Sequence, residues 1–197
     1  MNENLEDIML TTVIYAHPYE NSYNKAILDM AIKSLQVRKK KYALIDLYRD
    51  NFDPVMTKEE LACYGKGGYK DPLVEKYNKI LDETEKVVLI FPIWWYDSPA
   101  ILRGFFDKVM LLNSAFSSDE TGLHPIRNIP GTLIITTSSA STDALVNKLG
   151  DTINVMMIKT IFKAIGFNGA HWENFGSIGK STFEERIFFL SKVAALV

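Results

Sequence analysis

One cysteine, three histidines and a formal net charge of −2 deny this 197-residue chain several common chemistries. A single Cys63 excludes an internal disulfide and fits a reducing compartment. No grouping of cysteine and histidine has the spacing of a metal site. The near-balanced charge gives no electrostatic footprint for nucleic acid or an anionic membrane. The basic run Arg38-Lys39-Lys40-Lys41 reads as a solvated turn between a helix and a strand. No apolar stretch nears the roughly 20 residues that span a bilayer, so direct membrane insertion is not expected. The polar, acidic start Met1-Asn2-Glu3-Asn4-Leu5-Glu6-Asp7 is unlike a signal peptide. The expectation is a cytoplasmic protein, with residues 1–8 a disordered or loosely held tail. A nucleotide P-loop is missing, and Gly65-Lys66-Gly67-Gly68 lies outside any strand-to-helix junction, as a flexible turn does.

What is present is alternation. Buried-strand runs at Leu10–Ala16, Tyr42–Leu47, Val87–Phe91, Thr132–Thr136 and, more weakly, Ala170–Glu173 alternate with helical spacing such as Ala26, Ile27, Met30, Ala31 and Leu35. Asp71-Pro72 and Ser98-Pro99 are cap-plus-proline helix starts, and Ser181-Thr182-Phe183-Glu184 reads as a capping box. Helical pattern runs from about Asp143 to Ile165, where Gly166 suits a C-terminal cap. Strands and helices in this rhythm predict an α/β fold with a parallel sheet covered on both faces. The five units fit a flavodoxin-like three-layer sandwich, strand order 2-1-3-4-5, as one domain over 1–197. In that order the loops after strands one, three and four meet at one crevice.

The first of these loops holds His17, Ser22, Tyr23 and Asn24 before a helix N-terminus, where free backbone N–H groups and the helix dipole favour an anion such as phosphate. The same residues equally suit an ordinary helix cap. A phospho-receiver domain would need clustered aspartates where His17 stands, which excludes that reading. The third loop, Pro92-Ile93-Trp94-Trp95-Tyr96, sets three large aromatics in a row. They read either as core residues or as a wall for a flat, conjugated ligand; two would be easy to bury, but three successive side chains in a loop cannot all turn inward, which favours the wall. The fourth, Thr136-Thr137-Ser138-Ser139, offers small side chains and hydroxyls, or simply a polar loop with a cap at Thr142 or Asp143. An anion pocket, an aromatic wall and a small polar loop around one crevice fit a phosphorylated aromatic cofactor, FMN being the simplest.

These residues carry a resemblance. Ala16-His17 with Ser22-Tyr23-Asn24, Asp46-Leu47-Tyr48 with Asn51-Phe52-Asp53-Pro54, Phe91-Pro92-Ile93-Trp94-Trp95-Tyr96, Pro99-Ala100-Ile101-Leu102-Arg103-Gly104-Phe105-Phe106 and Thr136-Thr137 occur in one order. From about Val13 to Trp172 the chain resembles the NAD(P)H:quinone oxidoreductase family of flavodoxin-like flavoproteins. The resemblance implies FMN, with FAD the alternative, and NAD(P)H as co-substrate. It implies phosphate and ribityl contacts from His17, Ser22, Tyr23 and Asn24, and isoalloxazine contacts from Pro92, Ile93, Trp94, Trp95 and Tyr96. Thr136, Thr137, Ser138 and Ser139 match the second flavin loop. It also implies a homodimer in which Phe116 lies over the partner's flavin. Two departures stand out: the family's Thr-Thr-Gly-Gly is here Thr-Thr-Ser-Ser, and Ala144–Asp151 lacks the tyrosine and histidine that the best-known quinone reductases carry.

The implied activity is hydride transfer from NAD(P)H through the flavin to a quinone or similar small acceptor. No side chain stands out as a catalytic acid or base. A flavodoxin-type electron carrier is a second reading, against which the net charge of −2 counts, since such carriers are strongly acidic. A regulatory flavoprotein subunit of a membrane transporter is a third.

Overall fold

The computed structural model describes residues 9–66 and 68–197, so the expected tail at 1–8 lies outside the described residues. Val87 to Pro92 of strand β3 (Thr84–Pro92) are all buried, as a central parallel strand requires. Their alternation sorts them by face. Val87, Leu89 and Phe91 join one core cluster, Val88 and Ile90 the other. Strand β1 (Leu10–Tyr15) divides likewise, Ile14 to the first cluster, Val13 and Tyr15 to the second.

Strand β2 (Tyr42–Asp46) pairs with β1, and β1 with β3. The chain makes an antiparallel hairpin, β4 (Phe116–Asp119) and β5 (Gly122–Pro125), before β6 (Gly131–Thr137) and β7 (Ala170–Phe175) complete the sheet. The five-stranded sheet is parallel, in the order β2-β1-β3-β6-β7. This is the expected 2-1-3-4-5 arrangement with the small hairpin inserted before its fourth strand.

Helix α1 (Tyr23–Val37) buries Ile27, Leu28, Ala31 and Leu35 at helical spacing, and α7 (Phe183–Leu196) adds Phe189 and Val193; both cover the second cluster. The other face takes α3 (Pro72–Asp82) through Val74, Tyr77 and Leu81, and α4 (Ala100–Val109) through Leu102, Phe105 and Phe106. Each fully buried large apolar side chain contributes roughly 1.5–3 kcal/mol relative to exposure. Gly104 lets α4 touch the loop after β2: a Cβ there would stand 2.3 Å from the Pro54 carbonyl oxygen.

The segment between β2 and α3 contains a short helix, α2 (Lys58–Leu61), started by a Thr57–Glu60 capping box. The buried ammonium of Lys108 on α4 holds this segment. Its Nζ lies 2.9 Å from Glu60 Oε1, 3.4 Å from Asp71 Oδ2 and 2.9 Å from the Asp53 carbonyl oxygen.

Several local expectations are corrected. The helix foreseen from about Asp143 to Ile165 is two elements, α5 (Thr142–Asn147) and α6, separated where Gly150 and Asp151 take positive φ. Helix α6 has π-helical hydrogen bonding over Ile153–Phe162 and ends in one α-helical turn, Lys163–Ile165. Its C-terminal cap is Gly166 at φ 76°, as foreseen. Ser141, not Thr142 or Asp143, caps α5. The capping box of α7 is Thr182 with Glu185, one residue beyond the expected pair. Ser98 caps nothing: Pro99 is the N-cap residue of α4, and the Ser98 hydroxyl is buried without a partner.

Candidate functional site

Adjacency of β1, β3 and β6 brings the three loops together at the carboxyl edge of the sheet. The edge is laced by backbone bonds, Ala16 N–H to the Ile90 carbonyl at 3.0 Å and Ile93 N–H to the Thr137 carbonyl at 2.8 Å. The His17 and Trp94 rings lie 6.0 Å apart, so the first and third loops face each other directly.

In the first loop, Ser22 is the N-cap of α1, its Oγ accepting the Lys25 N–H at 3.1 Å. The N–H groups of Tyr23 and Asn24 behind it have no intrahelical acceptor. His17 Nδ1 accepts the Tyr19 N–H at 3.1 Å, which places the neutral ring's proton on Nε2. Burial pushes the His17 pKa below its usual value, so the ring enters the site as a neutral donor. The side chains of Tyr23 and Asn24 are committed inward. Tyr23 donates to the Arg186 carbonyl at 2.7 Å and packs on Phe175. Asn24 Nδ2 donates to Thr137 Oγ1 at 2.8 Å, tying the first loop to the fourth. What Tyr23 and Asn24 offer an anion is therefore backbone N–H rather than their side chains.

The aromatic loop is a two-residue reverse turn. Trp94 and Asp97 exchange backbone bonds of 3.0 and 3.1 Å, while Trp95 and Tyr96 between them have φ of 50° and 67°. Such a turn favours Asn and Gly at both central positions. Large aromatics there cost roughly 1–3 kcal/mol each, and strain of this kind gathers at functional sites. None of the three rings is in the core: Trp94 is 43%, Trp95 94% and Tyr96 47% exposed.

In the fourth loop, Ser138 and Ser139 both have negative φ, so serine in place of glycine imposes no backbone strain. The Ser138 hydroxyl turns away from the crevice, donating to the Ala140 carbonyl at 2.7 Å and accepting from Asn174 Nδ2 at 2.9 Å. Thr136 also faces away. It is fully buried, donates to Asn174 Oδ1 at 2.8 Å and accepts from Trp172 Nε1 at 2.8 Å.

Between the loops lie two cavities that share Ile93, Trp94, Ser138 and Ser139, of about 610 and 210 Å³. The larger is walled by those four with Trp95 and Tyr96, and adds Ala140 and Leu145. The smaller reaches from Pro92 and Thr137 to His17, Ser22, Tyr23 and Asn24 at the start of α1. Of the residues expected to bind cofactor, Thr136 alone lines neither cavity. Ala140, Leu145, Ile178 and the supporting Asn174 were not among the expected site residues, and Asn174 had no local signal, since its strand also carries His171 and Glu173. Phe116 is half-buried against the core and lines neither cavity of its own chain.

The spaces fit a phosphorylated flat molecule: a narrow end lined by N–H donors opens into a wide, mostly apolar end walled by rings. Among the described residues there is no grouping that could hold a metal ion, and no helix is long and apolar enough to cross a membrane.

Comparison with known proteins agrees with this geometry. Among curated proteins, the uncharacterized NAD(P)H oxidoreductase YcaK of Escherichia coli (strain K12) is 35% identical over 99 residues, 49% of this chain and 50% of that protein. An uncharacterized NAD(P)H oxidoreductase of Haemophilus influenzae is 27% identical over 84% of this chain and 83% of that protein. NAD(P)H dehydrogenase [quinone] 1 of Cavia porcellus is 24% identical over 74% of this chain, which spans 59% of that enzyme. Among solved structures, Smu.1420 from Streptococcus mutans UA159 superposes with a TM-score of 0.82 at 30% identity, covering 95% of this chain and 97% of that one. The FMN-dependent NADH-azoreductase of Bacillus anthracis str. Ames Ancestor, solved in complex with FMN, shares the fold at a TM-score of 0.72 and 18% identity, over 95% of this chain and 96% of that one. The family model described as Flavodoxin-like fold matches residues 9–186. Parallel sheet, crevice and relatives meet in one conclusion: the chain belongs to the flavodoxin-like family, among relatives named NAD(P)H oxidoreductases and quinone reductases.

Proposed function

We propose that the protein is an NAD(P)H-dependent oxidoreductase that holds FMN in the joined cavities and reduces a quinone or similar small planar acceptor. The observation that carries this reading is the pair of neighbouring cavities, sharing Ile93, Trp94, Ser138 and Ser139, one at the N-terminus of α1 and the other at the strained aromatic turn. When bound, the flavin supplies the redox chemistry, accepting hydride from NAD(P)H and passing it to the acceptor. The N–H groups at the start of α1 hold the phosphate, with Ser22 and neutral His17 as further donors. Trp94, Trp95 and Tyr96 provide the faces against which flat rings stack and exclude water. Among the described residues, no carboxylate, lysine or histidine lines the larger cavity, whose polar residues are Tyr96, Ser138 and Ser139 among its ring and aliphatic walls. FMN is preferred to FAD because the narrow end accounts for one phosphate. Names of relatives support NAD(P)H as donor and a quinone as acceptor. We further propose, from the family resemblance, a cytoplasmic homodimer with Phe116 near the partner's flavin.

The test is reconstitution with FMN, followed by NAD(P)H oxidation with a soluble quinone. A flavin visible spectrum and quinone-dependent turnover are expected. Protein that stays colourless after FMN is added and desalted would remove the proposal.

A further inference from the structure

Asn24 and Thr137 are each 3% exposed and are joined by one bond, Asn24 Nδ2 donating to Thr137 Oγ1 at 2.8 Å. Both residues line the smaller cavity. That bond is all the Asn24 side chain makes, for its Oδ1 is buried without a partner. An orphaned carbonyl oxygen is unfavourable, and leucine would fill a similar space without one. What asparagine supplies here is therefore its donor. On the other side of the bond, the proton of the Thr137 hydroxyl has no acceptor among the described residues. A hydroxyl has one proton and two lone pairs, so filling one lone pair narrows where the proton can turn. Thr137 lines the smaller cavity but not the larger, and its carbonyl accepts the N–H of Ile93, which lines both, at 2.8 Å. The unspent proton thus stands between the start of α1 and the junction of the two cavities.

Resting on the flavin reading above, we propose that Thr137 donates to a hydroxyl oxygen of the polyol chain that joins ring to phosphate, and that Asn24 is the positioning residue that turns the Thr137 proton toward it. With the phosphate at the start of α1 and the rings at the aromatic turn, the chain between them crosses this stretch of wall. Its hydroxyl oxygens are acceptors that a plain alkyl chain lacks. The anion is served at the other end of the cavity by backbone N–H groups, Ser22 and His17. The site then selects its ligand by the hydroxylated chain as well as by ring and phosphate. Because the Asn24–Thr137 bond also ties the first loop to the fourth, the chain is read by the contact that holds the cavity's two sides together.

The experiment titrates two ligands by flavin fluorescence: FMN, and an analogue with the same ring and phosphate joined by a five-carbon chain without hydroxyls. The proteins are the wild type, Thr137→Val, Thr137→Ser, Asn24→Leu and the double variant Asn24→Leu with Thr137→Val. Thr137→Val is expected to weaken FMN about five-fold and to leave the analogue unchanged. Thr137→Ser keeps the hydroxyl and should stay within about two-fold of the wild type for both ligands. Asn24→Leu should weaken FMN alone, and by less than about two-fold further once Thr137 is valine, since its effect runs through that hydroxyl. The double variant removes donor and acceptor together and leaves no orphan, so it carries the same comparison should a single variant fail to fold. Unchanged FMN affinity, equal loss for the analogue, or full additivity of the two substitutions each overturns the inference while leaving the flavin reading intact. Failure of the wild type to bind FMN removes both.

Discussion

Replacing Trp95 with glycine should weaken binding at little or no cost in stability. In the ligand-free chain the side chain is 94% exposed and so forfeits little burial when removed. At roughly 25 cal/mol per Å², the small covered remainder contributes no more than about 0.5 kcal/mol. Its φ of 50° is one that a side chain resists, and release from the left-handed region returns about 1–2 kcal/mol. Glycine gives back about 0.5–1 kcal/mol through the greater freedom of the unfolded chain. Trp95→Gly should therefore lie between about 0.5 kcal/mol less stable and about 1.5 kcal/mol more stable by urea unfolding. Stacking against a flat ring is worth about 0.5–1.5 kcal/mol beyond the area covered, so FMN affinity should fall about ten-fold. A variant that loses more than about 1 kcal/mol of stability while binding FMN as before would refute the idea that the strained turn serves a ligand.

Lys108→Met leaves Glu60 and Asp71 without their buried cation and should cost about 3–5 kcal/mol in thermal or urea unfolding. For Lys108, burial lowers the pKa but pairing with Glu60 and Asp71 outweighs it and raises the folded value. For Glu60, burial raises the pKa but bonds from Thr57 and Lys108 outweigh it and lower the folded value. The stabilisation is thus complete between the ordinary values of 4.5 and 10.5. It fades as pH falls below the first or rises above the second, and the Met variant should lose that pH dependence. His17 has a depressed folded pKa, so the unfolded chain binds more protons below the ordinary value of 6.5 and ligand-free stability falls there. A phosphate beside the ring reverses that preference, so FMN binding should take up protons near neutrality. Calorimetry in two buffers should see that uptake shrink in His17→Asn. Gly104→Ala must push apart α4 and the Pro54 loop and should cost about 1–3 kcal/mol in unfolding experiments.

The sheet was legible because each strand is a short apolar run bounded by helical spacing; right-handed crossovers leave few topologies, and its order was then taken by analogy with the flavodoxin-like fold. The hairpin Phe116–Pro125 was not, because most of it is exposed and it has no apolar alternation to read. The break between α5 and α6 was hidden because Leu145 and Ile153 keep an apolar rhythm across Gly150. At the site, counting showed that Trp94, Trp95 and Tyr96 could not all be buried; that none of them is in the core is set by the reverse turn, which the sequence did not show. Which polar atoms face the crevice was not available. Asn24 meets Thr137 across 113 residues, and Thr136 and Ser138 meet Asn174 across 38 and 36. Such long-range pairs leave no local trace, and they remove the Asn24 amide and the Thr136 and Ser138 hydroxyls from the set of free donors.

Paired titration of the purified, cofactor-stripped protein with FMN and with riboflavin, followed by visible absorbance and flavin fluorescence, tests the central claim most directly. The account predicts that both are bound against the aromatic turn and that FMN is held at least ten-fold more tightly, through the donors at the start of α1. Equal affinity for the two, or binding of neither, would contradict it.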